Sequence, residues 1–314
     1  MSIDAVREKL LSSLPPTPLQ RIRSEAAERA GVELFLKRDD LIHPQISGNK
    51  WRKLKYNLLE ALRQGQQALL TFGGAYSNHI YAVAAAGKVY GFRTIGLIRG
   101  EEVLPLNPTL AFARSCGMEL HYVSRQAYGL KDSAAFEQSL EKDFGSFYLL
   151  PEGGSNALAV KGVAELIAEL DGQIRWDYLC CAAGTGGTLA GLVRGAGGKG
   201  QLIGFSSLKG GAFLRQEVDQ FLGQYARLSG EKQSTYANWR IETDYHFGGY
   251  ANTKPELLQF IRQFEKENNV LLEQVYTGKM LYGVEDLLRK GFFKAGTRLV
   301  AIHTGGLQGR LASL

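Results

Sequence analysis

"DYLCCAAGTGGTLAG", residues 177–191, opens on an apolar run, turns through glycines and threonines at 184–188, and leaves on Leu189 and Ala190. A continuous apolar run that ends in glycines and passes into a helical pattern is how a parallel-sheet strand, buried on both faces, hands over to a helix. Glycine admits positive φ and close backbone approach, so such a turn can aim N–H groups at an anion held on the helix N-terminus. It is not a nucleotide loop of either common kind. The G-K-[ST] ending of a P-loop is missing, and read as G-x-G-x-x-G from Gly184 the third glycine falls on Leu189. Two readings stay open: a tight strand-to-helix turn, or a phosphate cup formed by the backbone of Gly184, Thr185, Gly186, Gly187 and Thr188 with the two threonine hydroxyls.

Working outward, apolar, β-rich runs recur at 32–38, 68–73, 93–100, 118–123, 201–208 and 298–306, with amphipathic stretches between them. This alternation predicts an α/β chain whose open, mostly parallel sheets are flanked by helices. No repeat or low-complexity tract marks a boundary. The β-α-β series from 50 to 155 is expected to form a small domain, and 1–49 with 156–314 a large one. Ligands of such sheets bind at the carboxyl ends of strands. Three more glycine-rich segments sit there: "SGNKWRK" (47–53), "FGGAYSNH" (72–79) and "EGGSNA" (152–157).

Behind Gly48 a helix is expected, with Trp51, Leu54, Leu58 and Leu62 on its buried face and Lys53, Lys55, Asn57 and Glu60 on the other. Lys50 stands at its start, where a cation is electrostatically unfavourable and an amine gives up its proton more readily. That suits a nucleophilic lysine. Ser77 and Asn78 are good N-cap types for the next helix. Capping alone explains them; the alternative is that this helix start grips a substrate carboxylate beside the Ser77 hydroxyl. No G-x-S-x-G elbow surrounds Ser77, so an esterase triad has little support.

Composition removes other classes. With 314 residues, 45% of them hydrophobic, the chain can bury a large core. No run approaches a membrane span, and "MSIDAVREKLLSSLPP" lacks a signal-peptide layout, which gives the expectation of a cytoplasmic protein. Cys116, Cys180 and Cys181 make no disulfide framework and read as small core residues. The net charge of +6 comes from scattered Lys and Arg with no aromatic-interleaved basic stripe, so no nucleic-acid partner is expected. Histidines 43, 79, 121, 246 and 303 show no metal-ligand spacing, and no metal is expected.

Taken together, the segments "TPL" (17–19), "LKRDDL" (36–41), "SGNKWRKL" (47–54), "GGAYSNH" (73–79), "EGGSNA" (152–157), "GTGGT" (184–188), "GGY" (248–250), "VYTGK" (275–279) and "HTGG" (303–306) resemble the pyridoxal-phosphate (PLP) enzymes of fold type II. The branch they resemble is that of 1-aminocyclopropane-1-carboxylate (ACC) deaminase and D-cysteine desulfhydrase. The resemblance runs along nearly the whole chain and implies a two-domain tryptophan synthase β-like fold and a homodimer. It implies that Lys50 carries PLP as a Schiff base and moves the substrate α-proton, and that Lys53 reaches the phosphate with the "GTGGT" backbone. It implies that Asn78 bonds the cofactor's phenolic oxygen, that Ser77, Asn78 and His79 face the substrate, and that Tyr250 and Tyr276 are catalytic tyrosines. Thr277 and Thr304 would flank the cofactor.

Those threonines bear on the reaction. ACC deaminases resemble "VYEG" and "HLGG" at these places, and a glutamate keeps the pyridine nitrogen protonated where a threonine can only share a neutral hydrogen bond. Opening a cyclopropane demands a strong electron sink; expelling a thiolate demands less. The pair therefore resembles D-cysteine desulfhydrase: α,β-elimination on a small amino acid, giving pyruvate, hydrogen sulfide and ammonia. The alternatives are an ACC deaminase, giving 2-oxobutanoate and ammonia, and a PLP-binding protein without turnover. Two loops, 248–256 and 156–162, depart from the family pattern in their glycines.

Overall fold

The computed structural model describes residues 2–12, 14–232 and 234–314. Among them the strands are β1 (Leu19–Arg21), β2 (Glu33–Lys37), β3 (Ala68–Gly73), β4 (Arg93–Arg99), β5 (Glu119–Val123), β6 (Tyr148–Leu150), β7 (Tyr178–Ala183), β8 (Gln201–Ser206), β9 (Trp239–Glu242) and β10 (Arg298–Ile302). Five helices matter for the site: α1 (Asn49–Arg63), α2 (Asn78–Tyr90), α3 (Ala157–Asp171), α4 (Gly187–Ala196) and α5 (Thr277–Arg289). The chain forms two compact units, residues 1–14 with 54–154, and 15–53 with 155–314. The cut falls inside α1, between Lys53 and Leu54. The N-terminal helix joins the first unit, where Lys9 Nζ lies 5.4 Å from the Tyr90 ring centre.

The first unit holds a parallel sheet in the order β5-β4-β3-β6. Its inner strands are the continuous apolar kind: β3 is buried at every position and β4 at its five central ones. Helix α2 packs on β3 and β4 through an alanine-rich face, with Ala82, Val83, Ala84, Ala85 and Ala86 all buried. On α1, burial reaches beyond the apolar stripe. Lys53 and Asn57, expected on the outer face, are both buried, and the Tyr148 hydroxyl donates to Asn57 Oδ1 at 3.0 Å. A polar residue at an outward helical position is drawn inside when a partner meets it there.

The second unit carries a six-stranded sheet, β1-β2-β10-β7-β8-β9, in which only β1 with β2 is antiparallel. Successive side chains point to opposite faces, so the two faces feed two cores. Leu34, Cys180, Ala182, Phe205 and Leu299 join one with Met280 and Val284 of α5. Leu179, Cys181, Leu202 and Val300 join the other with Val163 of α3 and Leu189 of α4. Adjacent cysteines thus enter different cores; both are free thiols, and burial pushes Cys181 up to about 12. Among the described residues no helix is long and apolar enough to cross a membrane.

Candidate active site

In the second unit the chain reverses at Gly48 before α1 begins. Gly48 has φ +61°, and a Cβ there would lie 1.9 Å from the Thr304 carbonyl oxygen, so only glycine lets these backbones meet. The Asn49 N–H then donates to Thr304 O at 3.3 Å. This contact seats Lys50, half-buried in the first turn of α1, at the carboxyl end of β10. Thr304 itself is buried.

One turn further on, Lys53 is 1% exposed, and its Nζ donates to Ser155 Oγ at 2.8 Å. Ser155 Oγ shares a hydrogen bond with Thr185 Oγ1 at 2.7 Å, and Asn49 Nδ2 donates to Thr188 Oγ1 at 2.8 Å. A Cβ on Gly187 would stand 2.5 Å from Ser155 Oγ and 3.2 Å from Lys53 Nζ. The glycine therefore leaves a bare backbone facing the Lys53 amine and hydroxyls at the N-terminus of α4. Desolvation, then the charge of Lys50, hold the Lys53 amine well below its ordinary range. An anion at this place offsets both effects, since opposite charge favours the ammonium.

The tyrosines stand beside the first glycine of the same turn. A Cβ on Gly184 would meet Tyr276 Cε1 at 2.9 Å, and the Tyr276 and Tyr250 rings lie 6.0 Å apart, inclined by 66°. Tyr276 immediately precedes α5, whose first N–H groups are held by Glu273. Its carboxylate accepts from Val275 N at 2.6 Å, Tyr276 N at 2.9 Å and Thr277 N at 2.5 Å. Burial raises the Glu273 carboxyl to about 7 against the pull of those N–H donors. Thr277 is fully buried, and its hydroxyl, close to that carboxylate, makes no well-formed hydrogen bond among the described residues.

The first unit holds the remaining predicted residues. Ser77 caps α2, its Oγ accepting from His79 N at 3.2 Å and Ile80 N at 3.3 Å. Asn78 is the first residue of that helix. The His79 side chain turns inward, with Nε2 2.8 Å from Thr71 Oγ1 and its ring packed on Gly154. Because the Thr71 hydroxyl donates to Leu150 O at 2.9 Å, the shared proton belongs to His79 Nε2.

The second unit thus brings Lys50, Lys53, the 184–188 turn, Tyr250, Tyr276, Thr277 and Thr304 to the carboxyl ends of its strands. Asn49, Ser155 and Glu273 were missed from sequence. Each lies within or two residues from a motif already singled out, but a hydroxyl, an amide or a carboxylate announces no role until its partner is known.

Comparisons with known proteins agree with this geometry. The profile of the family described as pyridoxal-phosphate dependent enzyme matches residues 11–305. The chain is 31% identical over 317 residues to the mitochondrial bifunctional D-cysteine desulfhydrase/1-aminocyclopropane-1-carboxylate deaminase of Arabidopsis thaliana, covering 94% of this chain and 77% of that protein. It is 29% identical over 305 residues to a D-cysteine desulfhydrase of Klebsiella pneumoniae, covering 93% and 92%. A solved structure described as an ACC deaminase homologue superposes with a TM-score of 0.83 at 30% identity, covering 98% of this chain and 95% of that one. With its strand-end lysine, its basic glycine-lined cup and a family match along almost its full length, the chain belongs to the pyridoxal-phosphate dependent enzymes.

Proposed function

We propose that the protein is a lyase that eliminates hydrosulfide from D-cysteine, leaving pyruvate and ammonia after hydrolysis. The residues present fit the cofactor. The bare Gly187 backbone, the buried Lys53 ammonium, and the Ser155 and Thr185 hydroxyls match a phosphate dianion. Bound there, pyridoxal phosphate supplies an electron sink that makes the α-proton of an amino acid acidic. Lys50 takes that proton. Tyr250 and Tyr276 hold the proton that the departing sulfur takes up. For Ser77 and Asn78, at the start of α2 in the first unit, the roles are those the resemblance implies, toward the substrate carboxylate and the cofactor's phenolic oxygen.

The observation that carries the choice of substrate is Thr277. Its hydroxyl is buried at the start of α5, and the neighbouring Glu273 carboxylate is committed on both oxygens to backbone N–H groups. Among the described residues no carboxylate is then left at this helix start to keep a ring nitrogen protonated, and a thiolate leaving group tolerates the weaker sink. The second reading, ACC deaminase, is favoured by the double activity in the name of the Arabidopsis relative. The homodimer implied by the resemblance and the cytoplasmic location expected from the sequence belong to the same proposal, with sedimentation and cell fractionation as their tests.

Incubating the PLP-loaded protein separately with D-cysteine, L-cysteine and ACC, and assaying sulfide, pyruvate and 2-oxobutanoate, tests the proposal. Sulfide with pyruvate from D-cysteine, absent in Lys50→Ala, supports it. Production of 2-oxobutanoate from ACC with D-cysteine inert moves the assignment to the second reading. Release from L-cysteine alone overturns the chirality.

A further inference from the structure

A buried lysine in the second unit has no part in the chemistry above. Lys279 lies in the first turn of α5 and is 1% exposed. Its Nζ donates to the carbonyls of His246, at 2.9 Å, and Gly249, at 2.7 Å. The loop those carbonyls belong to has an uncommon backbone. Phe247, Gly248, Gly249 and Ala251 all have positive φ, at 54°, 98°, 125° and 59°, and two of them are not glycine. Asn252 Nδ2 closes the loop on Gly248 O at 3.0 Å.

The loop is solvent-facing in part, with Tyr250 42% exposed, so water could hydrate its carbonyls. Burying an ammonium to bind them instead costs desolvation, which burial imposes on Lys279 and the Glu273 carboxylate partly relieves. Charge-assisted bonds from a helix to two loop carbonyls fix geometry as well as contribute energy. What they fix is specific: Gly249 O belongs to the peptide that leads into Tyr250. Lys279 also shares its helix start with Tyr276, whose ring stands 6.0 Å from that of Tyr250.

We infer that Lys279 is a positioning residue, an ammonium clamp on the Gly249–Tyr250 peptide that sets where the Tyr250 phenol stands against Tyr276. The consequence for turnover rests on the proposed role of Tyr250; the clamp itself does not.

The test compares Lys279→Met, Tyr250→Phe and the double variant, as PLP-loaded enzymes, by steady-state kinetics with D-cysteine and by hydrogen exchange of the 246–252 segment. Losing a positioned proton-transfer group costs about a hundredfold or more in kcat, and misplacing one by an ångström costs a comparable factor. Lys279→Met is therefore expected to lower kcat by about a hundredfold with a much smaller change in KM. In the double variant the loss should be no greater than in Tyr250→Phe alone, because both changes remove the same thing. Exchange of the 248–252 amides should quicken by about tenfold or more while α5 keeps its protection.

Multiplicative losses in the double variant, or unchanged exchange in the loop, overturn the inference. If Lys279→Met does not fold, Lys279→Gln, which keeps N–H donors on a shorter neutral arm, carries the same comparison and should retain part of the kcat. If the wild type turns over no amino acid, the proposed function falls, yet the exchange measurement still decides the clamp.

Discussion

Replacing Arg52 by methionine should destabilise the second unit by about 3–5 kcal/mol, the cost of breaking a buried ion pair from one side. Arg52 sits on α1 between Lys50 and Lys53 and is 5% exposed. Its Nε donates to Asp39 Oδ2 at 2.8 Å, and its Nη2 donates to Asp39 Oδ1 at 2.6 Å and Glu169 Oε2 at 2.8 Å. Glu169 also pairs with the fully buried Lys37. Two cations thus neutralise two anions in the interior, and the arginine contributes to both anions. Methionine fills similar volume but leaves Asp39, 1% exposed, with the Thr17 hydroxyl at 3.2 Å. Removing the stranded anion as well, in Arg52→Met with Asp39→Leu, leaves one cation facing one anion, and replacing a whole buried pair by apolar groups is close to neutral. The double variant should recover more than half of the loss. Trp51, Trp176 and Trp239 all lie in this unit, so urea unfolding followed by tryptophan fluorescence reports on it directly. A single-variant loss below about 1 kcal/mol at unchanged slope, or a double variant as unstable as the sum of the singles, would refute the argument.

Lys53→Met should weaken PLP binding about ten- to a hundredfold, the worth of a charged hydrogen bond, while the cofactor-free protein becomes no less stable because a desolvated amine is gone; undiminished affinity in a spectrophotometric titration would sink the phosphate assignment. Glu273 should make stability fall with pH. Its folded value, raised to about 7, lies above the unfolded one, so its contribution is whole below the ordinary carboxyl range and lost as pH rises through about 7. The stability difference between wild type and Glu273→Gln, measured by denaturant at several pH values, should move against the wild type over that window; a flat difference would contradict the burial argument. Thr277→Glu with Thr304→Leu should raise turnover of ACC relative to D-cysteine, and a folded, PLP-loaded double variant with no gain would show that other residues decide the reaction.

Much of the fold was legible because parallel strands buried on both faces must be apolar throughout. The runs at 32–38, 68–73, 93–100, 118–123, 177–184, 201–208 and 298–306 contain β2, β3, β4, β5, β7, β8 and β10. β1, β6 and β9 were not anticipated. They are three or four residues long, too short for any periodicity to register, and become strands because a neighbour offers a ladder.

The sequence by itself determined that glycine turns stand at strand ends, that Lys50 opens a helix, and that family motifs follow in a fixed order, since these depend on residue type and local spacing. Tertiary structure alone decided what those residues meet. Ser155 reaches Lys53 across 102 positions, Arg52 reaches Glu169 across 117, and Gly48 admits the Thr304 carbonyl from the far end of the chain. Whether a buried polar group costs stability or does chemistry depends on the partner that folding brings to it, and that partner is written nowhere near it in the chain.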